Sequence, residues 1–174
     1  MPISLRSYNP GDDFDEVFSF AREILAESPV EDARRELLAY PAKALVAKVA
    51  LDSQGTIIGF GAATYPYWNN IAIIDYLVVK PEWRSRGVGA ELIAELERAL
   101  SQVEHQPSIT RAVSQTECAP NRMLGIRIVT VQTVTWNEAG IRFYERQGYT
   151  QRVVLPSYYG ADNDLVWLDR TLES

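Results

Sequence analysis

The sequence predicts a mixed α/β or α+β fold in which helices pack against a central sheet. Apolar runs typical of strands alternate along the chain with stretches whose apolar residues recur at helical spacing. Clusters of Asn, Asp, Gly and Pro separate these runs, as turns do. The length of 174 residues and the 47% hydrophobic content favour one domain with its own core. We therefore expect a single domain over residues 1–174, with an unusual polar insertion at about 101–125.

Composition narrows the class of protein. The net charge of −6 argues against nucleic acid as a partner and mildly favours cationic ones. The single cysteine, Cys118, cannot form an intrachain disulfide, which is typical of a reducing compartment. The N-terminal residues lack a signal-peptide core, and no apolar run is long enough to span a membrane. We expect a cytoplasmic protein with no membrane partner, present as a monomer or homodimer.

In the first part of the chain, strand and helix patterns alternate between turn signals. Asn9-Pro10-Gly11 reads as a turn, after which Asp12 or Asp13 caps a helix that Ser28-Pro29 ends. Asp52-Ser53-Gln54-Gly55 is typical of a hairpin turn. The other predicted elements are the strands Ile3–Tyr8, Ala44–Leu51 and Thr56–Tyr65 and the helix Glu31–Tyr40.

The second part continues this alternation after a turn over Pro66–Asn70. An amphipathic helix carries apolar residues from Val88 to Leu100, with Glu95, Glu97 and Arg98 expected on its solvent face. The polar stretch Ser101–Gly125 has no firm pattern, and the only element we expect within it is a helix around Thr110–Cys118. The other predicted elements are the strands Ile71–Val79, Ile126–Trp136, Tyr149–Leu155 and Asp164–Leu172 and a helix over Asn137–Arg146 that Gly148 ends.

One junction between a predicted strand and a predicted helix has the residue pattern of a ligand-binding loop. Arg84-x-x-Gly87-x-Gly89 follows an apolar strand and opens the amphipathic helix. The first turn of a helix has unpaired N–H groups and a positive dipole end, and glycine lets an anion approach the backbone. The loop lacks the Gly-Lys-Ser/Thr of a Walker loop and the Gly-x-Gly-x-x-Gly of a dinucleotide fingerprint. It predicts a phosphate-bearing ligand, with a tight strand-to-helix turn as the alternative.

A second segment, Asn137–Tyr149, also follows an apolar strand. With the run Val79–Gly89 and the order of elements from Ile3 to Leu172, it resembles the GNAT superfamily of acyl-coenzyme A-dependent N-acyltransferases. The resemblance rests on a V-x-P-x-x-R-x-x-G-x-G match in the first segment and an N-x-x-G-x-x-x-Y-E-x-x-G-Y match in the second, which has Gly at the family's A/G position and keeps the family's spacing from Asn137 through Tyr149. It implies a GNAT fold, with a central mixed, largely antiparallel, splayed β-sheet flanked by helices.

The resemblance also implies a reaction. The protein would be an acyltransferase for groups other than amino-acyl groups, moving acetyl from acetyl-CoA directly to an amine in a ternary complex, without a metal. The acceptor would be a peptide or protein N-terminus or a small cationic amine. The implied coenzyme A-binding residues are Leu77, Val78, Val79, Arg84, Ser85, Arg86, Gly87, Val88, Gly89, Ala90, Asn137 and Tyr144.

The resemblance further implies two catalytic side chains. Tyr144 would donate a proton to the departing thiolate, with plain packing on the core as the alternative. Asp75 would be the general base, although it could equally serve a structural hydrogen bond. Asn137 could contact the cofactor or only cap its helix. A covalent route through Cys118 and His105 lacks a third, orienting group.

The acceptor is less constrained by sequence. The Tyr158-Tyr159 loop resembles a segment of the ribosomal-protein and N-terminal acetyltransferase branch, where tyrosines would line an acceptor groove. Leu165 stands where that branch has alanine. An exposed hairpin loop is the structural alternative, and a non-catalytic acyl-CoA sensor is the functional one.

Overall fold

A computed structural model describes residues 2–22, 30–39, 46–64, 71–103 and 126–172. The described strands are β1 (Ser4–Ser7), β2 (Val46–Leu51), β3 (Ile57–Thr64), β4 (Ile71–Val79), β5 (Ile128–Val134), β6 (Thr150–Leu155) and β7 (Leu165–Thr171). The described helices are α1 (Pro10–Ala21), α2 (Val30–Ala39), α3 (Val88–Ser101) and α4 (Glu138–Arg146), with a 3-10 turn at Pro81–Trp83. The predicted turn over Pro66–Asn70 and helix around Thr110–Cys118 lie outside the described residues, as does His105.

The strands form one seven-stranded sheet in the order β1-β2-β3-β4-β5-β7-β6. Every neighbouring pair is antiparallel except β4 and β5, which run parallel. Helix α1 packs on one face, where Phe14 and Val17 meet Tyr76 and Val78 of β4. Helix α3 packs on the other face, so the core lies in two layers around the sheet. This confirms the predicted mixed, largely antiparallel sheet flanked by helices.

The sheet opens between its two central strands. The parallel ladder joins only Ile71–Ile74 to Ile128–Val131, although β4 runs on to Val79. At the same point β4 bulges: Ala63 pairs with Ile74 and Ala62 with Tyr76, so Asp75 is the extra residue. The bulge reverses side-chain alternation, since Ile74 packs on the α3 side and Tyr76 on the α1 side. The predicted splay is confirmed, and the bulge marks where it begins.

Three predictions about the helices were wrong. Helix α1 ends at Ala21, with Arg22 as its C-cap, and not at Ser28-Pro29. Helix α1 begins at Pro10, and its N-cap is Asn9, whose Oδ1 accepts a hydrogen bond from the Gly11 N–H at 3.1 Å, rather than Asp12 or Asp13. Proline is favoured in the first helical turn, where its missing N–H costs nothing. Glu97 is buried rather than solvent-facing, because Tyr149 and Arg170 supply it with hydrogen bonds from other elements.

Candidate active site

The loop before α3 has the backbone geometry of an anion-binding turn. Ser85 has φ +59° and Gly87, the N-cap of α3, has φ +88°. Residues in this left-handed region tilt successive N–H groups toward one side of the turn. A Cβ built on Gly87 would meet no atom of the described residues within 4 Å. Glycine is therefore used here for its backbone conformation, and the side of the loop where that Cβ would lie is open.

The first turn of α3 offers unpaired donors. The N–H groups of Val88, Gly89 and Ala90 have no intrahelical acceptor, and the described part of the chain supplies none outside the helix. Glu91 is the first residue to donate within the turn, to the Gly87 carbonyl at 3.0 Å. Three orphan N–H groups at a positive helix end suit a phosphate-type anion.

The two arginines of the loop are exposed. The Arg84 Nε donates to the Val79 carbonyl at 3.0 Å, which ties the loop back to the end of β4. The Arg86 guanidinium lies 5.2 Å from the centre of the Trp83 ring, a cation–π contact. Both guanidinium groups are therefore held by contacts with residues that precede the turn.

Gly89 is where three elements meet. A Cβ on Gly89 would lie 3.1 Å from Phe143 Cζ and 3.8 Å from Val79 Cγ2. The absence of a side chain lets α3 approach both α4 and the splayed end of β4. The anion turn, the strand edge and the helix carrying Tyr144 thus share one junction.

Hydrogen-bond alternation identifies which backbone groups face the splay. The Lys80 N–H donates to the Ile58 carbonyl at 3.0 Å, so this antiparallel pair is a hydrogen-bonded one. Two residues along, Val78 and Phe60 pair in the same way. The N–H and C=O groups of Leu77 and Val79 therefore point away from β3 toward the gap. Of the three predicted backbone contacts, Leu77 and Val79 have the required direction, whereas Val78 is turned toward β3.

Asp75 lies at the mouth of the splay. As the bulged residue it is exposed, and its Oδ2 accepts a hydrogen bond from Thr64 Oγ1 at 2.6 Å. Because the bulge leaves this carboxylate exposed to solvent, it avoids the desolvation cost expected for a charge on an apolar strand. Thr64, which sequence alone did not single out, comes opposite because it ends the neighbouring strand β3.

Tyr144 lies on α4, half-buried beside the cluster that contains Ile74. Its ring makes edge-to-face contacts with Phe143 and Tyr149, at centroid distances of 5.3 and 5.7 Å. Burial raises the pKa of Tyr144 to about 12. Its hydroxyl has no hydrogen-bond partner within the described part of the chain, so it can donate to a bound molecule.

Asn137 caps α4. Its Oδ1 accepts from the Gly140 N–H at 3.1 Å, and its Nδ2 donates to Thr133 Oγ1 at 2.9 Å. The capping alternative is therefore observed, and the cofactor contact stays a prediction.

The tyrosine loop borders the β5 side of the gap. The Tyr159 hydroxyl donates to Gln132 Oε1 at 3.2 Å, and Gln132 directly follows the last residue of β5 that pairs with β4. Tyr158 and Tyr159 are 61% and 52% exposed. Gln132, like Phe143, was not predicted as a site residue, although Phe143 lies inside the second motif.

Two further properties bear on function. Across the described ranges, no three His, Cys, Asp or Glu side chains are grouped so that they could hold a metal ion. None of the described helices combines the length and apolar character needed to cross a bilayer.

The chain matches a protein-family model. The family described as the acetyltransferase (GNAT) domain matches residues 42–151, more than half of the chain and the whole junction described above. No curated protein sequence matches the chain.

Solved structures share the fold. An aminoglycoside 6′-N-acetyltransferase complexed with coenzyme A superposes with a TM-score of 0.71 at 18% identity, covering 100% of this chain and 98% of its own. NAA60 from Arabidopsis thaliana, complexed with a bisubstrate analogue, gives 0.70 at 19% identity, covering 98% of each chain. Ard1 from Thermoplasma volcanium gives 0.67 at 21% identity, covering 100% of each. At these identities the similarity establishes the architecture.

Proposed function

Since the chain belongs to the acetyltransferase (GNAT) domain family, we propose that it moves an acetyl group from acetyl-CoA directly to an amine, without a covalent enzyme intermediate. The acceptor is a peptide or protein N-terminus or a small cationic amine. The observation that carries this proposal is the junction at Gly89, where the anion turn, the open edge of β4 and the Tyr144 helix meet.

The chain's own groups fit the parts of acetyl-CoA. The orphan N–H groups of Val88, Gly89 and Ala90 would hold the diphosphate, in the open space beside Gly87. The outward N–H and C=O of Leu77 and the outward N–H of Val79 would pair with the pantetheine amides, since the Val79 carbonyl already accepts a hydrogen bond from Arg84 Nε. One of these N–H groups would stabilise the oxyanion that develops on the thioester carbonyl. Acetyl-CoA supplies the activated acetyl group.

Tyr144 would supply the proton for the departing thiolate. Its raised pKa keeps the phenol protonated throughout the neutral range. The same apolar surroundings raise the pKa of a thiol held beside it, because burial disfavours every charged form. The proton affinities of donor and acceptor therefore rise together.

Asp75 would take the proton from the amine. Its exposed position at the bulge allows contact directly or through water. An α-amine with a pKa of about 7.7–8.0 is partly neutral at pH 7 and needs little help, whereas a lysine amine near 10.4 needs a base. The loss of kcat when the Asp75 carboxylate is removed should therefore be larger for a lysine-like acceptor than for an α-amine.

The surface near the gap supports an amine acceptor. Tyr158 and Tyr159 are exposed aromatic rings beside the splayed end of β5, and aromatic faces attract cations. The chain's net charge of −6 also favours a cationic acceptor.

The experiment is release of free thiol from acetyl-CoA with a panel of peptides, polyamines and aminoglycosides. For any active acceptor, Tyr144→Phe should lower kcat by roughly 10²- to 10⁴-fold, with little change in acetyl-CoA affinity. Tyr8→Phe is the matched control, because burial also raises the pKa of Tyr8 to about 12 but its ring packs on Phe60 in the α1-side core. Equal rates for Tyr144→Phe and the wild type would remove Tyr144 as the acid. Binding of acetyl-CoA without release by any acceptor would favour the sensor alternative.

A second comparison tests the base. Asp75→Asn should lower kcat, most strongly for lysine-like amines, whereas Thr64→Val should leave kcat unchanged. Thr64→Val removes the hydrogen bond to Asp75 and keeps the carboxylate. Equal losses in both variants would assign Asp75 a structural role.

A further inference from the structure

Glu97 is an unusual residue for its position. It lies on α3 among buried apolar neighbours and is 8% exposed. A carboxylate in such surroundings is costly unless other groups compensate it. Compensation comes from Tyr149 and Arg170, which lie 52 and 73 residues away in the sequence.

The three side chains form a connected network. The Tyr149 hydroxyl donates to Glu97 Oε1 at 2.8 Å, and Arg170 Nη1 donates to Glu97 Oε2 at 3.0 Å. Arg170 Nη1 also donates to the Gln147 carbonyl at 2.9 Å. Burial and the Glu97 carboxylate raise the pKa of Tyr149 above its usual value, so its hydroxyl remains a donor. The network therefore fixes Tyr149 to α3 and β7 at once.

Tyr149 in turn contacts Tyr144 in two ways. Its ring meets the Tyr144 ring edge-to-face, with an interplanar angle of 63°. Its N–H donates to the Tyr144 carbonyl at 3.1 Å. The Tyr144 hydroxyl itself is unrestrained by hydrogen bonds within the described residues, so ring packing sets its direction.

We propose that Glu97, Tyr149 and Arg170 are positioning residues that hold the Tyr144 ring in the orientation needed to protonate the thiolate. This inference rests on the proposed role of Tyr144. The network connects the helix whose N-terminus would hold the diphosphate to the proton donor. Displacement of a reacting group by 1 Å can cost about 100-fold in rate, so partial loosening of Tyr144 should cost about tenfold.

The test is a double-mutant cycle with Tyr149→Phe and Tyr144→Phe, using the panel acceptor that gives the fastest thiol release. Tyr149→Phe keeps the ring contact but frees the ring from Glu97. We expect kcat to fall about tenfold, with an unchanged KM for acetyl-CoA. In the Tyr144→Phe background the same change should leave kcat unaltered, because the group being positioned is absent.

A matched control separates positioning from stability. Thr130→Val removes another buried hydroxyl hydrogen bond, the 3.3 Å bond from Thr130 Oγ1 to the Ala72 carbonyl. This bond joins β5 to β4 and involves none of the three network residues. It should lower the melting temperature as Tyr149→Phe does, but leave kcat unchanged when assayed well below melting. If Tyr149→Phe fails to fold, Glu97→Gln, which keeps the shape of the side chain, takes its place in the cycle.

The outcomes distinguish the two claims. Equal losses of kcat from Tyr149→Phe in both backgrounds, or a change in melting temperature alone, would overturn the positioning role and leave Tyr144 as the acid. A Tyr144→Phe variant as active as the wild type would remove Tyr144 as the acid and the positioning role with it, whereas no thiol release with any acceptor would refute the proposed function.

Discussion

Replacement of Gly87 by alanine tests the anion turn against a control that the chain itself provides. Gly87 has φ +88° and Gly55, in the β2–β3 hairpin, has φ +84°. A Cβ at either position would meet nothing within 4 Å among the described residues. The two Gly→Ala changes therefore impose the same backbone cost without a steric clash.

The expected magnitudes follow from this geometry. A left-handed alanine costs about 1–2 kcal/mol, which lowers the melting temperature of a chain of this size by about 2–8 °C. Both variants should show this loss. Only the Gly87 variant places a methyl group where the diphosphate would approach the orphan N–H groups. Loss of one charge-assisted hydrogen bond, about 1.5–3 kcal/mol, would raise the Kd for acetyl-CoA roughly 10- to 150-fold.

Isothermal titration calorimetry with acetyl-CoA is the assay, and melting curves accompany it. Gly55→Ala should bind like the wild type. Equal affinities for Gly87→Ala and Gly55→Ala would mean that the diphosphate does not approach this turn.

Two further predictions concern pH. Because burial raises the pKa of Tyr144 to about 12, the acid stays protonated as pH rises, and kcat should show no alkaline decline up to pH 10; a decline centred near 10, lost in Tyr144→Phe, would contradict this. Hydrogen bonds from Arg98 and Lys48 lower the pKa of Glu95 to about 2, so its contribution to stability is present above about pH 4.5 and disappears as pH falls toward 2. Urea unfolding of Glu95→Gln should therefore show a loss of about 1 kcal/mol at pH 7 and almost none at pH 2, whereas a pH-independent difference would assign the effect to packing.

Local patterns in the sequence were enough to predict the bounds of several helices and strands. The strand Ile71–Val79 has the predicted bounds because its apolar run is uninterrupted except at Asp75. Helix α3 starts at Val88 as predicted, since Gly87 and the apolar spacing act over neighbouring residues. The start of α1 was wrong because two residue types, Asn9 and Asp12, can both cap a helix, and only the path of the chain decides between them.

Features that depend on distant contacts were beyond sequence reasoning. The bulge at Asp75 arises from how β3 and β4 pair, and no residue type within the strand indicates it. Glu97 was expected on the solvent face because it is charged. Its partners Tyr149 and Arg170 are distant in the sequence and reach it only in the folded chain. In the candidate site, motif spacing predicted the turn, which the structure contains, and the role of Tyr144, which stays a prediction. That the Val78 backbone groups face β3 could be found only from the hydrogen-bond register.

Thermal unfolding with and without acetyl-CoA tests the central claim most directly, since that claim is that the junction around Gly89 binds this thioester. At a ligand concentration of about 100 times Kd, binding to the folded state adds about 2.7 kcal/mol. This corresponds to a rise in melting temperature of about 5–10 °C for a chain of this length. We expect such a rise with acetyl-CoA and a smaller one for Gly87→Ala at the same concentration. An unchanged melting temperature at saturating acetyl-CoA would contradict the account.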